Sequence, residues 1–321
     1  MKRRYKQAAI GIGEVAYYLP SCTLSLDMLA KEKKLESKQN VMREFGFNKV
    51  RVASKETTYD IAERAVKKLI QNSQVLPTDI DVLLYSSALT DLSNYKKKPK
   101  DATELFQYPA LKLQYNLGFT KARVVGISQA GCVSFLQSLQ IAYDMIKAEP
   151  EVNRVLCVSS DILPKESRRE ILYNVISDGG CAAFVERNTK TNRIVAYSQV
   201  TKGFFWNSRE NKNEIVASYF VTARHVINDA LKKAGLTMKD IKLVIPHNVN
   251  MKSWEALLKI LEIPKSKLFS RNIKRFGHTI AADNIINLSD ATNSGLVKRG
   301  DYLLLFTFGF GAHWGCIILQ H

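Results

Sequence analysis

The chain has 321 residues, 46% of them hydrophobic, with 47 lysines and arginines against 30 aspartates and glutamates. That length buries a full hydrophobic core as one large or two medium domains, which excludes any need for a metal or disulfide staple. The formal net charge of +17 invites a nucleic-acid partner. The basic residues are spread along the whole chain, however, with Lys96 to Lys100 the densest cluster, and no nucleic-acid motif accompanies them. We therefore expect no nucleic acid, and a basic surface that draws in an acidic protein or phosphate groups.

No run of about 18 apolar residues occurs, so no membrane span is expected. Met1 to Lys6 looks like the charged start of a signal peptide, but glycines and Glu14 interrupt the apolar stretch after it, which fits a first strand better. The cysteines at 22, 132, 157, 181 and 316 are few, odd in number and free of CxxC spacing. That pattern suits a reducing compartment, the cytoplasm.

In chain order, residues 7–18 predict a strand, 57–73 a helix opened by a threonine cap, and 79–86 (DIDVLLYS) a buried strand. Residues 89–112, which include DLSNYKKKPKD, read as a basic surface loop near a mouth or docking face. Arg123 to Ile127 is β-rich, and Phe135, Leu136, Leu139, Ala142, Tyr143 and Ile146 then recur at helical spacing. Cys132 sits at the turn between them, expected as the first helical residue. Unpaired backbone N–H groups there favour the nucleophilic form of a thiol, and the small residues Ala130 and Gly131 leave its sulfur accessible. Buried cysteines are more often inert fillers, so the reading needs partners from elsewhere. Residues 154–160 predict a strand, 168–173 a helix, and 178–185 a turn into another strand.

The second part repeats the first. Residues 216–234 predict an amphipathic helix, 240–246 (DIKLVIP) a strand with the lead-in of DIDVLLYS, and 253–261 and 280–298 further helices. Strands at 302–308 and 313–319 close the chain around a glycine turn. Strands alternating with helices in two similar parts imply a duplicated, layered α/β/α/β/α fold with halves at 1–190 and 191–321.

Two histidines could partner Cys132. His247 follows the strand LVIP, where α/β proteins place sites at strand carboxyl ends, and His278 lies in the loop RFGHT. His225, inside a helix, and His313, starting a strand, fit structural roles. A neutral imidazole takes and returns protons near neutral pH, as a thiol nucleophile requires. The glycine turn at 309–311 could supply an oxyanion donor beside the N–H of Cys132, although an ordinary hairpin turn would look the same.

QAGCVSF, DGGCAAF, PHNVN, RFGHT and FGFGAHWG occur in this order, and together they resemble the thiolase superfamily, specifically its β-ketoacyl-acyl carrier protein synthase III branch, over nearly the whole chain. The resemblance implies a thiolase-like fold, a cysteine acylated by a thioester at Cys132, a catalytic histidine at His247, and Gly311 as second oxyanion donor. It places substrate-binding positions at Arg43, Lys165, Lys252 and Asn250. It implies acyl-coenzyme A or an acyl carrier protein as thioester substrate, with no permanent cofactor and no metal. It also implies a dimer, a homodimer or one with a homologue, paired across the strand 154–160.

Two departures stand out. Asn248 and Val249 replace the family's Gln and Ala, and His278 stands where the family has asparagine. In the family that asparagine helps stabilise the enolate left by decarboxylation, and an imidazole has different reach and a proton of its own to exchange. The expected activity is therefore transfer of an acyl group from Cys132 to an alcohol, an amine or another non-malonyl acceptor, in specialised or fatty-acid-derived biosynthesis, with His278 or His247 as general base. A decarboxylating synthase and a non-catalytic partner subunit are the alternatives, and retention of both Cys132 and His247 speaks against the second. Asp283 either orients an imidazole or caps the helix beyond it.

Overall fold

The structure, a computed structural model of the chain, describes residues 9–89 and 101–321. The first two strand residues expected from sequence, the Lys96 to Lys100 cluster and the DLSNYKKKPK stretch of the expected loop lie outside the described residues.

The first part runs β1 (Ile10–Tyr18), β2 (Thr23–Ser25), α1 (Leu26–Lys31), α2 (Gln39–Glu44), β3 (Lys49–Arg51), α3 (Thr58–Asn72), β4 (Val82–Ser86), α4 (Pro109–Asn116), β5 (Arg123–Ile127), α5 (Ser134–Ala148), β6 (Arg154–Asp161), β7 (Glu170–Ile171), β8 (Asn174–Val175) and β9 (Gly179–Arg187). The second comprises β10 (Arg193–Thr201), α6 (Lys212–Ala234), β11 (Ile241–Pro246), α7 (Met251–Ile260), α8 (Arg271–Phe276), α9 (Asp283–Asn293), β12 (Tyr302–Gly309) and β13 (His313–Gln320).

The sheet order is β11-β12-β13-β10-β1-β9-β6-β4-β5, but β1 and β10 meet only at Gly11 and Arg193. On either side of that bridge the topology repeats. β4 and β6 are parallel, as are β11 and β12. β6, β9 and β1 then follow antiparallel, as do β12, β13 and β10. Within this repeat α5, which leads into β6, corresponds to α9, which leads into β12.

Alternation along the strands divides the core into layers, because successive side chains leave opposite faces of a sheet. Leu83, Tyr85, Leu156 and Val158 face Ala62, Ala65, Val66 and Leu69 of α3. Their neighbours Val82, Leu84, Val155 and Cys157 turn the other way, onto Phe135, Leu139 and Ala142 of α5 and Ile285 and Ile286 of α9. In the second sheet Val244, Leu304 and Ile318 face Ala223, Val226 and Ile227 of α6 and Leu257 of α7. The result is helix, sheet, paired middle helices, sheet, helix, with α5 and α9 in the shared core.

Three expectations are corrected. The loop expected up to Lys112 contains a 3₁₀ turn at Ala102–Phe106 and then α4, whose Pro109 occupies the first helical turn, where its missing N–H costs nothing. Residues 168–173 are not helical. They form the β7–β8 hairpin, whose turn residues Leu172 and Tyr173 both have positive φ, +48° and +61°. That is the primed-turn geometry of tight hairpins without the usual glycine or asparagine signal. Finally, β6 is no edge strand: β4 and β9 flank it, and β5 holds the edge of the sheet.

The hairpin is pinned to the body by charge. The buried guanidinium of Arg169 donates twice to Asp178 at 2.9 Å, and that carboxylate also accepts the N–H groups of Ala53 and Leu163. Glu170 accepts the N–H groups of Glu36 and Ser37 at 2.8 Å each. Among the described residues, no helix is long and apolar enough to cross a membrane.

Candidate active site

Cys132 lies in a 3₁₀ turn, Gly131–Val133, two residues before α5 begins at Ser134, rather than at its first residue. Gly131 has φ +53°, and a Cβ there would stand 2.9 Å from the carbonyl oxygen of Phe310. A Cβ on Gly309 would stand 2.7 Å from the nitrogen of Cys132. Two glycines therefore let the Cys132 turn and the turn between β12 and β13 stack backbone against backbone. Gly311 reaches the same cavity as Cys132 in this way.

His278 follows α8 through Gly277, whose φ is +72° and whose Cβ would clash with the carbonyl of Val175 at 2.7 Å. The His278 N–H donates to that carbonyl at 2.9 Å, and the His278 carbonyl accepts the Ser177 N–H at 2.8 Å. Held there, Nε2 of His278 is 3.5 Å from Sγ of Cys132. Its Nδ1 faces Oδ2 of Asp283 at 2.5 Å.

The Asp283 carboxylate is wholly buried and fully hydrogen-bonded. Oδ2 also accepts the N–H of Asn248 at 2.6 Å. Oδ1 accepts the N–H of Thr279 at 2.7 Å and the Thr279 hydroxyl. Burial works against a charged His278, but the charge of Asp283 and the Cys132 sulfur outweigh it, and the proton affinity of the imidazole is raised to about 10. Of its two sequence readings, Asp283 takes the orienting one.

His247 is placed differently. It is completely buried, neither ring nitrogen has a hydrogen-bond partner, and its ring lies edge-on to Trp254, Phe306 and His278 at centroid distances of 5.7, 5.6 and 6.2 Å. It does not border the cavity that holds Cys132 and His278. Burial first, and then the charge on His278, hold its affinity for a proton down to about 3. The structure thus brings His278, rather than His247, against the thiol.

The cavity is about 380 Å³ and mostly apolar, with Leu163, Ile176 and Ile280 on one side and Tyr219, Phe220, Phe308 and Phe310 on another. Gln129, Asn174, Asn250 and Ser253 supply its polar groups. No lysine, arginine, aspartate or glutamate occurs among the described residues lining it. Asn250 has a second task, because its side-chain oxygen caps α7 by accepting the N–H of Ser253 at 2.9 Å. Arg43, Lys165 and Lys252 are exposed and line none of the cavity. Arg43 pairs with Asp27 at 2.6 Å, and Lys252 approaches Glu255 at 3.8 Å.

Sequence reasoning did not single out Tyr219, Asn174 or Ile280. Only the apolar spacing of α6 hinted at the first, and nothing local marks the others.

Two family models match the chain, one described as 3-oxoacyl-[acyl-carrier-protein (ACP)] synthase III over residues 128–203, which include Cys132, and one as its C-terminal part over 231–321, which include both histidines. Together they span just over half of the chain. The chain belongs to the 3-oxoacyl-[acyl-carrier-protein] synthase III branch of the thiolase superfamily. A synthase III relative from Aquifex aeolicus (strain VF5), a beta-ketoacyl-[acyl-carrier-protein] synthase III, is 29% identical over 289 residues, covering 86% of this chain and 88% of its own. The crystal structure of a 3-oxoacyl-[acyl-carrier-protein] synthase III from the same organism superposes with a TM-score of 0.83 at 27% identity, covering 97% of this chain and all of that one. A structure named ChlB3, an acyltransferase, shares the fold with a TM-score of 0.85 at 19% identity, covering 97% of each chain. This synthase III member is a condensing or acyltransferase enzyme.

Proposed function

We propose that the protein moves an acyl group from a coenzyme A or carrier-protein thioester, through Cys132, to a neutral alcohol or amine acceptor. The observation that carries this reading is the line Cys132, His278, Asp283, in which an imidazole backed by a carboxylate fills the family's asparagine position.

The chemistry balances along that line. The Cys132 thiol passes its proton to Nε2 of His278, and Asp283 stabilises the resulting imidazolium. The thiolate attacks the thioester carbonyl, with the N–H groups of Cys132 and Gly311 proposed as donors to the oxyanion. Collapse of the tetrahedral intermediate breaks the C–S bond to the carrier, and the departing sulfur takes the proton back from His278. With its proton carried off by the departing sulfur, the imidazole of His278 is neutral and free to act as a base. It takes the proton of the acceptor's O–H or N–H as the acceptor attacks the acyl-cysteine, and the thiolate leaves. Asp283 touches no reacting atom and is a positioning residue. His247 stands outside this relay.

Among the described residues the cavity wall carries no charged side chain, which supports an uncharged acyl group and acceptor, since a carboxylate buried against those residues would lack compensation. The basic surface supports recruitment of a phosphorylated or acidic carrier, as on a cytoplasmic enzyme. The reading further proposes a nucleophile-bearing half, 1–190, a histidine-bearing half, 191–321, and a homodimer joined at the open edge of β5.

Incubation with a panel of acyl-coenzyme A and acyl-carrier-protein thioesters, read by intact mass, tests the proposal. An acyl adduct absent from Cys132→Ala, and then discharged by an alcohol or amine but not by malonyl thioester, is expected. Absence of an adduct with every donor would overturn the acyl-cysteine route, and discharge by malonyl thioester with loss of carbon dioxide would overturn the acceptor assignment.

A further inference from the structure

The bend that leads into α9 carries an isoleucine where the backbone favours glycine. Ile280 has φ +57°, a left-handed conformation that a β-branched residue rarely adopts. Hydrogen bonds of the active site impose it from both sides. Upstream, the backbone of His278 is tied to Val175 and Ser177 at 2.9 and 2.8 Å. Thr279, the residue just before Ile280, has its N–H and hydroxyl held by the side chain of Asp283, three residues after Ile280. The residue between these anchors has no freedom to relax.

The Ile280 side chain is 4% exposed and lines the cavity that holds Cys132. With Leu163 and Ile176 it forms a separate apolar cluster, against which Ala88, Leu89 and Cys132 pack. A branched Cβ leaves χ1 stiff, and the backbone beneath it is clamped, so this piece of wall can neither rotate aside nor retreat.

We propose that Ile280 is a specificity-determining residue that closes the acyl end of the cavity beside the Cys132 sulfur, admitting short acyl chains and rejecting long ones. This rests on the acyl-cysteine reading and extends it to the class of donor. The conformational cost at Ile280 is then the means of holding the wall rigid, because glycine would satisfy the bend but leave the space open.

The test compares wild type, Ile280→Gly and Ile280→Val in the rate of acyl-enzyme formation with acetyl-, hexanoyl- and dodecanoyl-coenzyme A. In parallel, Cys132 is alkylated by N-alkyl iodoacetamides of the same lengths, and peptide mapping separates it from the exposed Cys22. The alkylation series needs no thioester chemistry, so it reads the shape of the pocket even if no acyl donor is accepted. Ile280→Gly is expected to raise the ratio of long to short reagent about tenfold or more, the discrimination that one or two methylenes of pocket space provide. Ile280→Val, which keeps the branch, should stay near wild type. A ratio in Ile280→Gly unchanged in both series would overturn the proposal, as would wild type that already reacts as fast with the longest reagent as with the shortest. Failure of acylation alone, with the alkylation ratio shifted, would sink the acyl-cysteine route while the pocket assignment stands.

Discussion

Replacing Asp283 by asparagine keeps the shape of the side chain and removes its charge. The structure sets the consequence, because all four of its hydrogen bonds are accepted ones. An amide has one accepting oxygen and one donating nitrogen. If the nitrogen turns toward Thr279, the Thr279 hydroxyl can rotate to accept, but the Thr279 N–H is orphaned. If it turns the other way, neutral His278 can accept at Nδ1, but the Asn248 N–H is orphaned. Either orientation leaves one buried backbone donor unpaired, at a cost of roughly 1–3 kcal/mol in folding stability. The imidazole also loses the charge that raises its proton affinity to about 10, and with it its strength as an acceptor for the proton of the Cys132 thiol. The acylation rate near neutral pH should fall by about 10²- to 10⁴-fold, the usual range for a lost proton-transfer partner.

The pH dependence has a definite sign. A histidine whose proton affinity is raised on folding stabilises the fold fully below its unfolded value and loses that contribution as pH rises through the folded one. For wild type this window runs from about 6.5 to about 10, and it should narrow in Asp283→Asn. Chemical denaturation at pH 6 and pH 10, together with iodoacetamide alkylation of Cys132 across the same range, measures both effects. Wild-type acylation rate and an unchanged alkylation profile in a folded Asp283→Asn protein would refute the reasoning.

His278→Asn, which restores the family residue, should cost acyl transfer about 100-fold or more without creating malonyl-thioester decarboxylation, as measured by carbon dioxide release; gain of that activity would favour the synthase alternative. His247→Leu should leave Cys132 acylation near wild type and move acid unfolding to lower pH. A buried neutral histidine with its proton affinity at about 3 stabilises the fold above its unfolded value and loses that contribution as pH falls, and leucine removes this liability; a loss of acylation as large as that of His278→Asn would contradict the assignment. Val125, 40% exposed on β5, should tolerate lysine in the fold while the charge blocks edge pairing, so sedimentation should show the dimer of the wild type and a monomer for Val125→Lys.

The strands and core helices were legible because their periodicity is a property of neighbouring residues: DIDVLLYS and the apolar stripe of α5 each announce a buried face. The β7–β8 hairpin was not legible, because its positive-φ turn falls on Leu172 and Tyr173, and Glu170 is held by the N–H groups of Glu36 and Ser37 from a distant segment. The edge position of β5 was hidden for the same reason, since strand order is a tertiary property. β10 was not among the expected strands, although its apolar, β-branched run Ile194-Val-Ala-Tyr197 carries a readable signal. At the site, Cys132 and His278 could be named from the chain, whereas the choice between two histidines depended on which ring faces the sulfur. No local pattern carries that, and the same holds for the rigid wall at Ile280.

The corresponding positions of α5 and α9 have one more consequence. The Cys132 sulfur stands before one and the His278 imidazole before the other, 146 positions apart. During synthesis Cys132 leaves the ribosome long before His278 does. The contact between Cys132 and His278 forms only once segments far apart in the chain have packed together. A chain cut short before Gly277 would therefore hold the Cys132 sulfur with no imidazole of His278 beside it.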